Sequence, residues 1–299
     1  MPTGIGEIQK SCIFAFEKHF SNHSEISNEI SMKKIMTALA VAATLSACTS
    51  QQPKMLVLYY SQEGTTQKVA EQIAAELGAD IERFDAEEPY TGNFQETIER
   101  CLKEREDGIS PKVKPIASDI SKYDIIFLGY PIWFGTYASP VAALLKDINL
   151  DGKVVVPFCT FGSGGLYSST ADLQQAIPGA EIREGFGIRS ARIDKLQPEL
   201  ERFLVIGGYK EGEVESYPDY SEQMPVTEEQ VAIFDAACSD YQFPLGTPIS
   251  VGTRETSSSV DYLFTVESMG RDGNPAQSKI YVTVPKSADA RPEFTIVVR

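Results

Sequence analysis

The chain has 299 residues, 42% of them hydrophobic, which is enough for ordinary folded cores and suggests about two domains. A formal net charge of −15 argues against nucleic acid as a partner, because phosphates would repel such a surface; it favours solubility and partners with basic patches. The five cysteines contain no Cys-x-x-Cys spacing, which argues against zinc and iron–sulfur sites.

The first pattern along the chain is Met32-Lys33-Lys34, a short apolar run over 35–45, and then Leu45-Ser46-Ala47-Cys48. This reads as a secretory signal peptide, too short for a stable membrane span. Its Leu-Ser-Ala-Cys ending resembles the bacterial lipoprotein processing site, which implies cleavage before Cys48, a lipid on the Cys48 thiol, and anchorage in the cell envelope outside the cytoplasm. Residues 1–31 are then expected to be an upstream extension, 32–47 the signal peptide and 48–53 a polar tether. Both histidines, His19 and His23, lie in the extension. The remainder therefore has no Ser-His-Asp or Cys-His catalysis and no histidine metal site. Cys101, Cys159 and Cys238 are expected to be buried structural thiols.

From Met55 the pattern alternates strand and helix. Residues 55–60 form a continuous apolar run, as in a parallel strand buried on both faces. Residues 67–77 put Val69, Ile73 and Leu77 on one helical stripe that ends at Gly78. A strand over 80–84 and a polar helix over 93–105 follow, then a strand over 123–130 and a helix over 140–148 with proline in its first turn. A strand over 153–159, a helix over 168–176, a strand over 180–186 and a helix over 194–204 complete the series. Five strands alternating with helices predict an α/β fold: a doubly wound five-stranded parallel sheet with right-handed crossovers. Residues 207–225 lack an apolar stripe and read as a linker. The tail, 226–299, changes style. A helix over 227–238 precedes strand-like runs at 248–253, 260–267, 280–284 and 294–298, which predicts a smaller C-terminal α+β domain. Its element order resembles the cystatin-like fold.

Three loops carry candidate chemistry. The first, Ser61-Gln62-Glu63-Gly64-Thr65-Thr66, joins the first strand to the first helix. Hydroxyls, backbone N–H groups and the positive end of the helix dipole converge there, as a phosphate requires. It lacks the lysine of a nucleoside-triphosphate loop. The apolar-apolar-aromatic strand end, Ser61, Gly64, Thr66, Ala70 and Ile73 together resemble the phosphate-loop signature of the flavodoxin family. The resemblance covers residues 54–206. It implies strand order 2-1-3-4-5 and non-covalent flavin mononucleotide (FMN) at the carboxyl ends of the first, third and fourth strands. Two positions depart from the pattern: Glu63 stands where the family often has threonine, and Thr65 where it often has asparagine. Glu63 is therefore expected to face solvent.

The second loop, Tyr130-Pro131-Ile132-Trp133-Phe134-Gly135-Thr136, follows the third strand and contains the only tryptophan. Large aromatics there suit stacking on a flat ring, and the resemblance implies that Pro131, Ile132, Trp133, Phe134 and Gly135 contact the flavin ring. The third loop, Cys159-Thr160-Phe161-Gly162-Ser163-Gly164-Gly165-Leu166-Tyr167, follows the fourth strand, with Thr160, Phe161, Gly162, Ser163 and Gly164 as its candidate site residues. Its glycines let backbone N–H groups approach a ligand closely, and the resemblance implies hydrogen bonds to the polar edge of the flavin. All three loops precede residue 170, so the site is expected to need nothing from the tail. The function so implied is electron transfer through bound FMN, to a redox partner protein or small-molecule acceptor, in a lipid-anchored protein. Two alternatives stand beside it: an NAD(P)H-dependent flavin or quinone reductase on the same fold, and a binding lipoprotein without redox chemistry.

Overall fold

The computed structural model describes residues 52–91, 94–270, 273–287 and 291–298. The signal-peptide, tether and Cys48 expectations lie outside these residues, apart from the last two tether positions. Residues 52–299 form one compact unit containing two sheets.

The first sheet is parallel at its centre. Its strands are β1 (Met55–Tyr59), β2 (Asp80–Arg83), β3 (Ile125–Trp133), β4 (Thr136–Tyr137), β5 (Val154–Phe161), β6 (Glu181–Ile182) and β7 (Phe186–Arg189). They lie in the order β2-β1-β3-β5-β6, with β4 paired to β3 and β7 to β5. This is the 2-1-3-4-5 order expected, because β6 and β7 are two pieces of one fifth strand. Ile182 pairs with Val155, but Phe186 pairs with Phe158, so one extra residue is accommodated between them. The predicted strand over 180–186 is thus broken by a bulge and extends to Arg189.

Alternation along the strands sends side chains to two buried faces. Leu56, Leu58, Ile126, Leu128 and Tyr130 pack on one side with Val141 and Leu144 of helix α3 (Ser139–Asp147) and Leu173 of helix α4 (Leu166–Ala176). Val57, Phe127, Val156 and Phe158 pack on the other with Val69 and Ile73 of helix α1 (Thr65–Leu77) and Leu200 and Leu204 of helix α5 (Leu196–Ile206). This double burial explains the continuous apolar runs. Helix α2 (Phe94–Glu106) lies between β2 and β3 in the chain.

The second sheet is antiparallel, in the order β12-β11-β10-β9-β8. Its strands are β8 (Met224–Pro225), β9 (Thr247–Glu255), β10 (Ser259–Met269), β11 (Pro275–Pro285) and β12 (Glu293–Val298). Helix α6 (Glu228–Cys238) covers one face with Phe234 and Ala237, against Phe264, Ile280, Val282 and Phe294. It starts at a capping box in which Thr227 and Gln230 satisfy each other's backbone N–H groups.

The segment 207–225 has almost no regular structure, yet it is tied down along its length. Lys210 pairs with Glu76 at 2.6 Å. Tyr217 lies beneath the guanidiniums of Arg202 and Arg254, at 3.5 and 4.8 Å. Ser221 N donates to Thr253 O at 2.8 Å, and Met224 pairs with Val251. It is a strap held by side-chain contacts and main-chain hydrogen bonds rather than by a buried stripe.

Candidate functional site

The carboxyl ends of β1, β3 and β5 open into a cleft of about 640 Å³, within the roughly 300–1,000 Å³ of small-molecule sites. All three predicted loops reach it. Gln62, Glu63, Ile132, Trp133, Phe134, Gly135, Gly162, Ser163 and Gly164 line it directly. Ser61, Gly64, Thr65, Thr66, Pro131, Thr160 and Phe161 do not line it.

The first loop is built around a buried hydroxyl. Ser61 Oγ accepts hydrogen bonds from the Gly64 and Gln67 amides at 3.1 and 3.3 Å. Gly64 precedes α1 at φ +87°, a left-handed conformation that suits glycine. Thr65 and Thr66 open the helix, where first-turn amides have no intrahelical acceptor. The Thr66 hydroxyl is buried and lies 2.8 Å from that of Thr160, which ties the first loop to the third. Arg83 donates from its guanidinium to Ser61 O at 2.9 Å, so a positive charge lies behind a loop that contains none. Gln62 reaches across to α2 and donates to Thr97 Oγ1 at 2.7 Å. Glu63 is exposed at the rim, as its charge requires.

The second loop is a hairpin rather than an open loop. Trp133 pairs with Thr136 and Ile132 with Tyr137, leaving Phe134-Gly135 as a two-residue turn. Both have positive φ, 53° and 85°, as a type I′ turn requires. For Phe134 that conformation costs about 1 kcal/mol. Bonds to α4 hold the hairpin in place: Ser168 Oγ donates to Gly135 O, and Thr136 Oγ1 to Asp172. Trp133 is half-buried and meets Tyr90 and Tyr60 edge-on, with ring centroids 4.9 and 5.8 Å away. Burial pushes the Tyr60 and Tyr90 hydroxyls above the ordinary tyrosine range, and at Tyr90 the bond to Glu104 adds to it, so both rings stay neutral.

The third loop is stitched to the second sheet. Ser163 O accepts from Val297 N at 2.7 Å, and Gly164 bridges Val297 in parallel. A Cβ on Gly164 would meet Val297 O at 2.1 Å, so only glycine permits this approach. Arg189, 2% exposed, donates to Gly162 O at 2.9 Å, Phe294 O at 3.0 Å and Asp240 Oδ2 at 3.1 Å. Its guanidinium also lies 3.4 Å over the Phe294 ring. Burial pulls the Arg189 guanidinium below the ordinary arginine range, and Asp240 pulls it back up. Cys159, expected to be a structural thiol, is buried, and its burial pushes the thiol up, out of the range of a nucleophile.

The cleft has lining that the sequence did not single out. Thr97 and Ile98 come from α2, Ser168 from α4, and Tyr241, Gln242, Phe243, Val297 and Val298 from the tail, while Gly165 and Tyr167 belong to the far end of the third loop. The expectation that the tail is dispensable to the site's walls is therefore revised. Among the described residues there is no cluster of His, Cys, Asp and Glu able to hold a metal ion. None of their helices is long and apolar enough to cross a membrane.

A family model described as Flavodoxin matches residues 54–200. That segment is a flavodoxin-like domain. Over 127 residues, 40% of its length, the chain is 31% identical to a protein from Cupriavidus metallidurans named NAD(P)H dehydrogenase (quinone), and it spans 57% of that relative. A flavoprotein structure from Bacteroides eggerthii is 28% identical, covering 52% of this chain and 97% of its own, with a TM-score of 0.44. A flavoprotein from Lactobacillus acidophilus, crystallised in complex with FMN, is 24% identical, covering 48% and 98%, with a TM-score of 0.41.

Replacing Arg189 by Leu strips the buried Phe294 carbonyl and the Gly162 carbonyl of a charged donor. At about 1.5–3 kcal/mol for a hydrogen bond to a charged group, Arg189→Leu should lower stability by about 3 kcal/mol in urea unfolding. A midpoint equal to wild type would show that the two sheets do not depend on this side chain.

Proposed function

We propose that this protein binds FMN non-covalently and passes electrons through it. The observation that carries the reading is the meeting of Gln62 and Glu63 from the 61–66 loop, the Trp133 hairpin and the glycine-rich 162–165 turn at one cleft at the carboxyl ends of β1, β3 and β5. This is where ligands bind in open α/β sheets, beside the point at which strand order reverses.

The residues present fit the cofactor. The N-terminus of α1 offers unpartnered amides and the Thr65 hydroxyl to a phosphate. Ser61 shapes the loop by holding the Gly64 and Gln67 amides. Arg83, bonded to Ser61 O, offsets the phosphate charge from behind. The hairpin aromatics supply an apolar face for a flat ring and keep water from it. FMN supplies one- and two-electron chemistry when bound; the protein's part is to hold and orient it and to tune its field. A net charge of −15 opposes further negative charge on the ring and so lowers its reduction potential.

A second reading, direct reduction by NAD(P)H with a quinone or free flavin as acceptor, is favoured by the name of the Cupriavidus relative. Both readings share the cofactor and differ in the electron donor. For localisation, the 32–48 pattern supports a lipid anchor on Cys48 and a place in the cell envelope outside the cytoplasm.

Adding FMN to the protein should quench the emission of Trp133, the single tryptophan, and yield a yellow complex. Thr65→Ala removes the hydroxyl that opens α1 and should weaken FMN by about 1.5–3 kcal/mol, while Thr65→Ser should restore it. Trp133 emission indifferent to saturating FMN, with no colour retained, would overturn the cofactor.

The two donors separate in anaerobic stopped flow. The electron-carrier reading expects flavin absorbance to persist with NADPH and NADH and to bleach only with a protein or chemical reductant. Rapid bleaching by either nicotinamide would establish the reductase reading instead.

Cys48→Ser should move the protein from the membrane fraction to the soluble fraction of its host. Continued sedimentation with membranes would point to a different anchor.

A further inference from the structure

We propose that the tail helps to bind the flavin ring, with Tyr241 and Phe243 as ring-contacting residues. The proposal rests on FMN as the ligand. It concerns a part of the chain that lies wholly outside the segment matched to the flavodoxin family, residues 54–200.

Four observations carry it. First, Tyr241, Gln242, Phe243, Val297 and Val298 line the same cleft as the Trp133 hairpin and the third loop. Second, the tail touches the loop itself. A Cβ built on Gly162 would lie 3.7 Å from Tyr241 Cε2, an ordinary van der Waals distance, and Val297 is hydrogen-bonded to Ser163. Third, this wall is held in place. Tyr241 N donates to Cys238 O at 3.0 Å, the Tyr241 ring meets Phe294 with centroids 5.5 Å apart, and neighbouring Asp240 binds Arg189. Fourth, the wall ends in an apolar ring with surface still to bury. Phe243 is 52% exposed at the cleft and meets Tyr241 edge-on at 5.6 Å. An exposed aromatic beside a cleft that already holds Trp133 and Phe134 suits a flat, apolar ligand surface.

The ligand class follows from where these groups sit. They belong to the hairpin and third-loop side of the cleft, and none belongs to the phosphate loop. The tail therefore recognises the isoalloxazine ring and not the phosphate. Flavin uptake then draws on both sheets at once, and the family-matched segment alone is an incomplete ring site.

The test uses the full chain and two flavins, FMN and riboflavin, which lacks the phosphate. Phe243→Ala should weaken both by the same factor, about tenfold for one lost aromatic contact. Thr65→Ala should weaken FMN far more than riboflavin. Because Phe243 is largely exposed, the flavin-free Phe243→Ala variant should melt at the wild-type temperature. A reporter, Phe243→Trp in a Trp133→Phe background, places the only indole at this position, and its emission should fall with the FMN binding curve. Phe243→Ala that binds both flavins with wild-type affinity, together with reporter emission that ignores bound FMN, would overturn the tail's role while leaving the cofactor intact. A wild type that takes up neither flavin would overturn the cofactor reading and this inference with it.

Discussion

A buried guanidinium holds the two halves of this molecule to one shape. Arg189 ends β7, the last piece of the parallel sheet, and is almost fully removed from water. A desolvated cation is costly unless donors and acceptors match closely. Arg189 meets that demand with two carbonyls, one carboxylate and one aromatic face. One carbonyl belongs to Gly162 in the third loop and the other to Phe294 in β12. The same side chain therefore sets the distance between the second sheet and a wall of the cleft. Beside it, Arg192 repeats the arrangement, bridging Glu199 of α5 at 2.7 Å and Glu293 of β12 at 2.9 Å. Arginine suits both positions because its planar fork presents several donors in fixed directions, where lysine would present a single point charge.

The cleft inherits its rigidity from such cross-ties. The Thr66–Thr160 hydroxyl pair joins the first loop to the third. Gln62 joins the first loop to α2, and Tyr90 beside α2 supports Trp133. Ser168 and Asp172 of α4 fix the hairpin. Each loop is thus braced by an element other than the strand that delivers it. Among the described residues, no buried side-chain nitrogen or oxygen lacks a hydrogen-bond partner. A site braced in this way needs little ordering when a ligand arrives, which leaves more of the contact energy for binding.

The parts legible in the sequence were those with local causes. The runs 55–60, 123–130 and 153–159 read as buried parallel strands because both faces are covered, and the sheet order follows. The tail's helix and four long strands were legible from periodicity and turn residues. What escaped had non-local causes. Arg189 looks like any surface charge until β12 is folded against it. Phe134 gives no sign that it occupies a left-handed turn, since only Gly135 has a turn residue's chemistry. The segment 207–225 reads as a linker, and its anchors, Tyr217 on Arg202 and Arg254, are pairings across the chain with no period. Tyr241 and Phe243 follow a helix end in a stretch that carries no site motif. Their relevance to the cleft comes only from how the two sheets pack.

The 61–66 loop carries no cation of its own. A loop of hydroxyls and amides with no cation binds a dianion through the α1 dipole and through bonds that water would otherwise make. In a chain of net charge −15 that alone is a weak lure for a phosphate. Arg83 changes the local balance. It stands at the end of β2, donates to Ser61 O and Gln67 Oε1, and is partly neutralised by Asp85 at 2.9 Å. Its charge reaches the loop through the direct hydrogen bond to the Ser61 carbonyl. The parallel β1–β2 pairing, with Tyr59 opposite Arg83, puts it there. An edge strand that contributes little to the core thereby supplies the one positive charge that the loop sequence lacks, and the register of the sheet decides where that charge falls.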